Sequence, residues 1–330
     1  MAHTDRVLVT GAAGFIGSHL CRRLVADGAE VVGLDDLSES SGENLRAVPE
    51  VRLVEADLLD QTAVADAARG CRAIFHQAAK RSVSRSMEEP ELTTDVNLRG
   101  TLNVLLAARD AGAAVVAASS SSVYGDQTEF PVHEGLTPLP RSPYAASKLA
   151  VEVYCGAMFR SYGTRAVALR YFNAYGPGQD PESEYAAVVP RFTVACLTGD
   201  TPQVHGDGEQ SRDFTYIDDV VEANVLAARA SEAALGRAIN VGGGGEPTSV
   251  NELLSMIAER VGVVADPVHT AARSGDIRRS MADVSLARDL LGFRPAVDIQ
   301  EGISRTVEWF RAERARTRTP ETPLAVGRWA

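Results

Sequence analysis

The sequence predicts a doubly wound, mostly parallel α/β sheet, and three observations carry that expectation. A short β-branched run, Arg6 to Thr10 (RVLVT), passes through a glycine turn, TGAAGFIG, into a stretch with helical spacing of Phe15, Ile16, Leu20 and Leu24. A second apolar run, Glu30 to Leu34 (EVVGL), ends at two acids, Asp35 and Asp36. Further apolar runs then recur with helical stretches between them, the alternation that builds a parallel sheet covered on both faces.

The glycine turn sets the first functional expectation. Gly11 permits a tight turn, Gly14 lets backbone amides approach a pyrophosphate, and Gly17 lets the helix pack closely on the strand, while the helix N-terminus attracts the anion. Glycine turns also end ordinary strands, so the reading depends on Asp35, placed where a carboxylate accepts hydrogen bonds from an adenosine ribose. That carboxylate would repel a 2′-phosphate and no arginine stands beside it, so NAD is expected over NADP. The alternative is that Asp35 and Asp36 merely open the solvated loop DDLSESSGEN.

Val51 to Val54 leads to Asp57, and Ala73 to Phe75 leads to His76 and Ala78, continuing the alternation. Ala113 to Ala118 (AAVVAA) reads as a buried strand opening into Ser119, Ser120, Ser121 and Ser122. Hydroxyls at the carboxyl end of a parallel strand face the ligand crevice. With Ser142 as N-cap and Pro143 at the first helical position, Tyr144 falls in the first turn of the next helix, and Lys148 follows one turn later on the same face. An ammonium near a phenol favours the phenolate, which takes a proton from a sugar or alcohol hydroxyl at neutral pH. Serine, tyrosine and lysine then converge on one hydroxyl, the outline of oxidoreductase chemistry.

Composition excludes several classes. The 330 residues, 45% hydrophobic and 23% charged, suit one large or two interleaved globular domains. A net charge of −11 disfavours nucleic acid as a partner, because phosphate backbones are bound through basic surfaces. No stretch approaches the roughly 20 apolar residues of a membrane span, and MAHTD runs straight into the first strand, so a cytoplasmic protein is expected. Cys21, Cys71, Cys155 and Cys196 are scattered without a CxxC or Cys/His cluster, so free thiols and no metal are expected. His76 and His205 read as structural groups, and RAERARTRTPETPLAVGRWA as a poorly ordered tail.

In order, the segments TGAAGFIGSHL, HQAAKRSVSRSMEEP, VNLRGTLNVL, SSSSVYG, SPYAASK, RYFNAYGPGQDP, YAAVVPRF, GDGEQSRDFTYIDDV, NVGGG and RSGDIRRSMADVSLA resemble the extended short-chain dehydrogenase/reductase family, and within it the nucleotide-sugar 4-epimerases. The match spans roughly residues 5 to 312. It implies a Rossmann-like NAD-binding domain (1–172 and 213–242), a smaller C-terminal α/β domain for the nucleotide sugar (173–212 and 243–315) and a tail (316–330). By position, Gly11, Gly14, Phe15, Ile16 and Gly17 would hold the pyrophosphate, Asp35 the adenosine ribose, and Asp57 with Leu58 the adenine. Ala78, Ala79 and Lys80 would line the next strand end, Asn97 and Ser119 complete the cofactor site, Lys148 reach the nicotinamide ribose and Tyr171 flank the nicotinamide. Ser120, Tyr144 and Lys148 would be catalytic. The sugar nucleotide would meet Ser82, Ser120, Ser121, Tyr144, Asn173, Val189, Gln203 and Ser280, with Arg212 and Arg273 on the diphosphate and Asp276 on the uridine ribose.

The resemblance also separates reactions. Related 4,6-dehydratases carry an Asp-Glu pair after the catalytic hydroxyl residue, and related decarboxylases and a 5,6-dehydratase a Glu; here Ser121 and Ser122 stand in those places, so elimination lacks its proton carriers. The expected activity is NAD-dependent 4-epimerisation of a UDP-hexose, gluco to galacto, through a 4-keto sugar. Serine at position 280, where the family often has a bulky Tyr, leaves space for a 2-acetamido group. Lys80 and Arg81 depart from the usual small or apolar residues and suit a 6-carboxylate, which keeps a UDP-glucuronate 4-epimerase as the runner-up, although HQAAKRSV also suits a solvated loop. A dehydratase or decarboxylase, a cofactor-releasing reductase and a non-catalytic NAD-sensing scaffold remain competing readings. Two helices, VNLRGTLNVLLAARD and the one beginning at Tyr144, are apolar on more faces than one core contact requires, and the resemblance implies a homodimer through a four-helix bundle.

Overall fold

Alternate residues of the first strand pack on opposite faces, Val7 and Val9 on one and Leu8 on the other, as in a strand covered on both sides. The computed structural model, which describes residues 5–181, 187–272 and 277–318, extends this to seven parallel strands. They are Arg6–Thr10 (β1), Glu30–Asp35 (β2), Arg52–Glu55 (β3), Ala73–His76 (β4), Ala114–Ser120 (β5), Ala166–Tyr171 (β6) and Ala238–Val241 (β7). Their order is β7-β6-β5-β4-β1-β2-β3, so the winding reverses between β1 and β4. Ligands of open α/β sheets bind outside the carboxyl ends of the strands at such a reversal.

Helix Phe15–Ala26 (α1) buries Leu20 and Leu24 on one face together with helix Ile217–Ala228. The other face is covered by Gln61–Ala68, Gly100–Ala111 (α2) and Pro143–Tyr162 (α3), through Val64, Leu105, Val151 and Cys155. The four cysteines are buried free thiols. His76 is buried as well, with Nδ1 2.7 Å from the Thr10 hydroxyl and Nε2 2.9 Å from the Thr101 hydroxyl. Burial pulls its pKa down to about 3, so it is a neutral structural group.

Smaller pairings build the second layer. Gln203–His205 runs parallel to Val268–Thr270, and Ser211–Arg212 antiparallel to Thr248–Ser249. Helix Val250–Val261, opened by a Ser249/Glu252 capping box, packs between Val188–Thr198 and Ile299–Arg318. The last of these helices continues to Arg318, past the boundary expected at 315. Among the described residues no helix is long and apolar enough to cross a membrane, and no cluster of His, Cys, Asp or Glu is arranged to hold a metal ion.

Candidate active site

A cleft of about 840 Å³ opens at the reversal point, over the carboxyl ends of β1, β2, β4 and β5. Its floor is the glycine turn. Gly11 has φ +66°, and a Cβ there would lie 2.7 Å from the Ala78 nitrogen, while a Cβ on Gly17 would lie 1.9 Å from the Gly11 carbonyl oxygen. Only glycine fits either place. Gly14 caps α1 without a side-chain hydrogen bond, so the first-turn amides face the cleft with no side chain laid across them. Asp35 stands at the end of β2, its two carboxylate oxygens accepting from the amides of Ala13 and Leu37, each at 2.9 Å. Those bonds fix its rotamer and leave lone pairs on both oxygens, although burial raises its pKa. A bare amide cradle for a pyrophosphate and a fixed carboxylate for ribose hydroxyls fit a dinucleotide.

The strand β5 runs two residues further than its apolar core and carries Ser119 and Ser120 to its end. Ser142 caps α3 by accepting from the Ala145 amide, and Pro143 leads the first turn, which places Tyr144 opposite Ser120. The Ser120 hydroxyl accepts from the Ser122 amide and donates to the Ser122 hydroxyl, each at 3.1 Å, and it stands near enough to the Tyr144 phenol to pull that group's pKa down. Lys148, 5% exposed, donates from Nζ to the Ala118 carbonyl at 2.9 Å. The expected convergence of Ser120, Tyr144 and Lys148 on one wall of the cleft is present.

The electrostatics differ from expectation. Burial raises the Tyr144 pKa, and only the Ser120 hydrogen bond and the Arg81 charge pull it back. Burial also lowers Lys148, from the ordinary 10.5 to about 8. The lysine does not make Tyr144 a phenolate in the protein alone, because desolvation of both groups outweighs an attraction across 6.0 Å from Nζ to the ring centre.

Of the residues expected to meet the cofactor, Gly11, Gly14, Phe15, Ile16, Gly17, Asp35, Asp57, Leu58, Ala78, Ala79, Lys80, Ser119, Tyr144, Lys148 and Tyr171 line the cleft. Asn97 does not. It is 1% exposed within a π-helical turn, accepting from the Lys80 amide at 2.7 Å and donating to the Lys80 carbonyl and the Ser147 hydroxyl. It is a brace behind the cleft wall rather than a lining group. The ammonium of Lys80 bonds Glu39 and Ser38 at 2.8 and 3.0 Å, which turns it from the expected sugar side toward the loop after β2.

The residues expected to meet substrate divide among sites. Ser120, Ser121, Tyr144 and Asn173 line the main cleft. Asn173, with φ 34° and its amide donating to the Asp213 carbonyl at 2.8 Å, also borders a second cavity of about 250 Å³ that holds Val189, Gln203 and Arg212. Ser82 caps helix Val83–Glu88 and faces a side pocket of about 150 Å³ with Arg81 and Arg85. Ser280 is half-buried, donates its amide to the Ser211 carbonyl at 3.0 Å and is not among the lining residues of these three cavities. Arg273 and Asp276 lie outside the described residues.

Sequence reading missed part of the wall. Ser40, Asn44, Gln179 and Trp309 line the same cleft, the Asn44 amide donating to the Gly178 carbonyl at 3.2 Å and the Ser40 hydroxyl to the Ala13 carbonyl at 2.7 Å. The GPGQDP run carries turn-forming glycine and proline, but its partner Asn44, in the short helix Glu43–Arg46, is 134 residues away and leaves no local trace.

Residues 7–242 match the model of the NAD dependent epimerase/dehydratase family. The chain belongs to that family. It is 45% identical over 312 residues to a UDP-glucose 4-epimerase of Mycolicibacterium smegmatis, covering 93% of this chain and 98% of that one. The Thermus thermophilus UDP-glucose 4-epimerase, solved as a complex with NAD, superposes with TM-score 0.85 at 41% identity over 93% of this chain and 99% of that one. A UDP-N-acetylglucosamine 4-epimerase from Methanobrevibacter ruminantium, in complex with UDP-N-acetylmuramic acid, superposes with TM-score 0.89 at 37% identity, covering 94% and 99%. As a member of this family the chain uses NAD.

Proposed function

We propose that this protein is a UDP-hexose 4-epimerase that interconverts gluco and galacto configurations, accepting UDP-N-acetylglucosamine and UDP-glucose with their epimers. The observation that carries the reading is the Ser120, Tyr144 and Lys148 constellation at the end of β5, with Ser121 and Ser122 where elimination would need carboxylates. Kinship with 4-epimerases over nearly the whole chain supports it.

In this reading Tyr144 takes the proton from the sugar O4 and returns it, and Ser120 holds the same oxygen by a second hydrogen bond. Lys148 is anchored by Ala118 beside the ring, where it favours the ionised phenol once other charges enter the cleft. Gly11, Gly14 and Gly17 would hold NAD, which would supply the hydride acceptor and donor for C4. Arg212 in the second cavity holds the nucleotide diphosphate, with Gln203 and Val189 beside it on the same wall, so the sugar turns about a fixed anchor and presents either face to the same groups. The chain works as a homodimer in this proposal, through the α3 face that exposes Val153, Tyr154 and Tyr162.

One observation favours a second reading, an acidic hexose such as UDP-glucuronate. Arg81 lines both the main cleft and the side pocket, and its side chain has no hydrogen bond or ion pair among the described residues, whereas neighbouring Lys80 is paired with Glu39. NMR of the purified protein with UDP-glucose, UDP-N-acetylglucosamine and UDP-glucuronate in turn, without added NAD, separates the cases. Inversion at C4 of the neutral sugars is expected; turnover of the glucuronate alone would transfer the assignment to the acidic hexose, and loss of water or carbon dioxide would overturn 4-epimerisation.

A further inference from the structure

Three consecutive residues of β5 each meet α3. The Ala118 carbonyl accepts from Lys148 at 2.9 Å, the Ser119 hydroxyl donates to Glu152 Oε1 at 2.5 Å, and the Ser120 hydroxyl stands beside the Tyr144 phenol, whose pKa it pulls down. Tyr144, Lys148 and Glu152 recur at four-residue spacing, so one stripe of the helix grips one strand end. The middle tie is the unusual one, because it uses a buried charge. Glu152 and Arg170 have side chains 6% and 5% exposed, joined by Arg170 Nε to Oε1 at 2.8 Å and Nη2 to Oε2 at 2.7 Å. Ser119 and Arg170 are register partners on adjacent strands, so both reach the same carboxylate from below. Arg170 is held in turn by the Tyr124 ring, 4.7 Å from its guanidinium, and the Tyr124 hydroxyl donates to Asn240 at 2.7 Å.

A buried ion pair is a poor device for stability, since desolvation consumes most of its attraction, and an apolar pair of similar volume often does as well. What it does provide is direction: a bidentate guanidinium admits one carboxylate orientation, which fixes where Ser119 sits. We propose that Glu152 is a positioning residue: held by Arg170, its carboxylate clamps Ser119 to α3 and so sets the separation between the neighbouring Ser120 hydroxyl and the Tyr144 phenol. The inference rests on the proposed role of Tyr144 as proton carrier. It deepens that reading by naming what holds the carrier's partner in place.

Ser119→Ala removes the clamp and leaves the ion pair intact, Ser119→Thr keeps a hydroxyl, and the double variant Glu152→Leu/Arg170→Met removes the buried charges as a pair. Each is read by kcat and KM with the accepted UDP-sugar, by melting temperature, and by ultraviolet titration of the phenol against a Tyr144→Phe background. Ser119→Ala is expected to lower kcat about tenfold with KM within about twofold, and to move the Tyr144 ionisation to higher pH, as expected when a hydrogen bond to the ionised form is misplaced. Ser119→Thr restores both. The double variant melts no lower than the parent yet loses kcat to the same extent. Parental kcat and phenol titration in Ser119→Ala, or a double variant with parental kcat, would overturn the proposal. So would a kcat loss that follows melting temperature with the phenol titration unmoved. The titration needs no substrate, so a parent inactive on every UDP-sugar would refute the proposed function while the positioning of Tyr144 is still decided.

Discussion

Lys148 stands one helical turn from Tyr144, yet its ammonium is aimed at the Ala118 carbonyl 2.9 Å away and lies 6.0 Å from the centre of the tyrosine ring. The pair is therefore a stored arrangement whose two charges are both disfavoured by burial until a ligand changes the field.

Replacement of Lys148 by Met tests that cost. The lysine pKa is lowered in the folded state from 10.5 to about 8, so below pH 8 it is charged both folded and unfolded, and the full penalty of burying it is present. Between pH 8 and 10.5 the unfolded chain binds more protons, so this group's contribution to stability rises with pH and the penalty fades. Lys148→Met is expected to be more stable than the parent at pH 7 by on the order of 2 kcal/mol, allowing for the donor lost to Ala118. The advantage should shrink across pH 8 to 10.5 in parallel urea titrations, and a constant difference would show that the lysine is not desolvated.

Tyr144→Phe keeps the ring in place and removes the proposed proton carrier. Turnover should fall by about 10²–10⁴, with melting temperature close to that of the parent because Ser120 retains the Ser122 amide and hydroxyl. Activity within a few-fold of the parent would remove Tyr144 from the mechanism.

Gly17→Ala addresses the cradle. The added Cβ would lie 1.9 Å from a backbone oxygen, the Gly11 carbonyl, where no side-chain rotation relieves the clash. A loss of about 3 kcal/mol in unfolding free energy is expected, together with protein that purifies without NAD. Chemical denaturation and the absorbance of acid-released nucleotide check both outcomes.

Asp35→Ala removes an acceptor from the Ala13 and Leu37 amides and from any ribose in the cleft. The buried Ala13 amide is left unsatisfied at about 1–3 kcal/mol, and NAD affinity measured by calorimetry on nucleotide-stripped protein should weaken by about tenfold or more. Unchanged affinity would mean that Asp35 only holds the loop after β2.

The strands, the glycine turn, the Ser142 cap and the Tyr144/Lys148 face were legible in the chain because each is set by residues within a turn or two of one another: periodicity, φ preference and cap chemistry act locally. The family resemblance carried the expected cofactor residues further, and most of those residues line the cleft.

Partner choice across long separations was settled only when the chain closed on itself. Asn97 braces Lys80 and Ser147 instead of lining the cleft, Lys80 turns to Glu39, and Ser280 stays clear of the three cavities. Glu152 and Arg170, unremarked in one dimension, become neighbours because β5, β6 and α3 pack together. The sign of the Tyr144 shift belongs to the same class. A motif shows which charges are nearby in sequence, but desolvation depends on everything packed around them, and here burial outweighs the lysine.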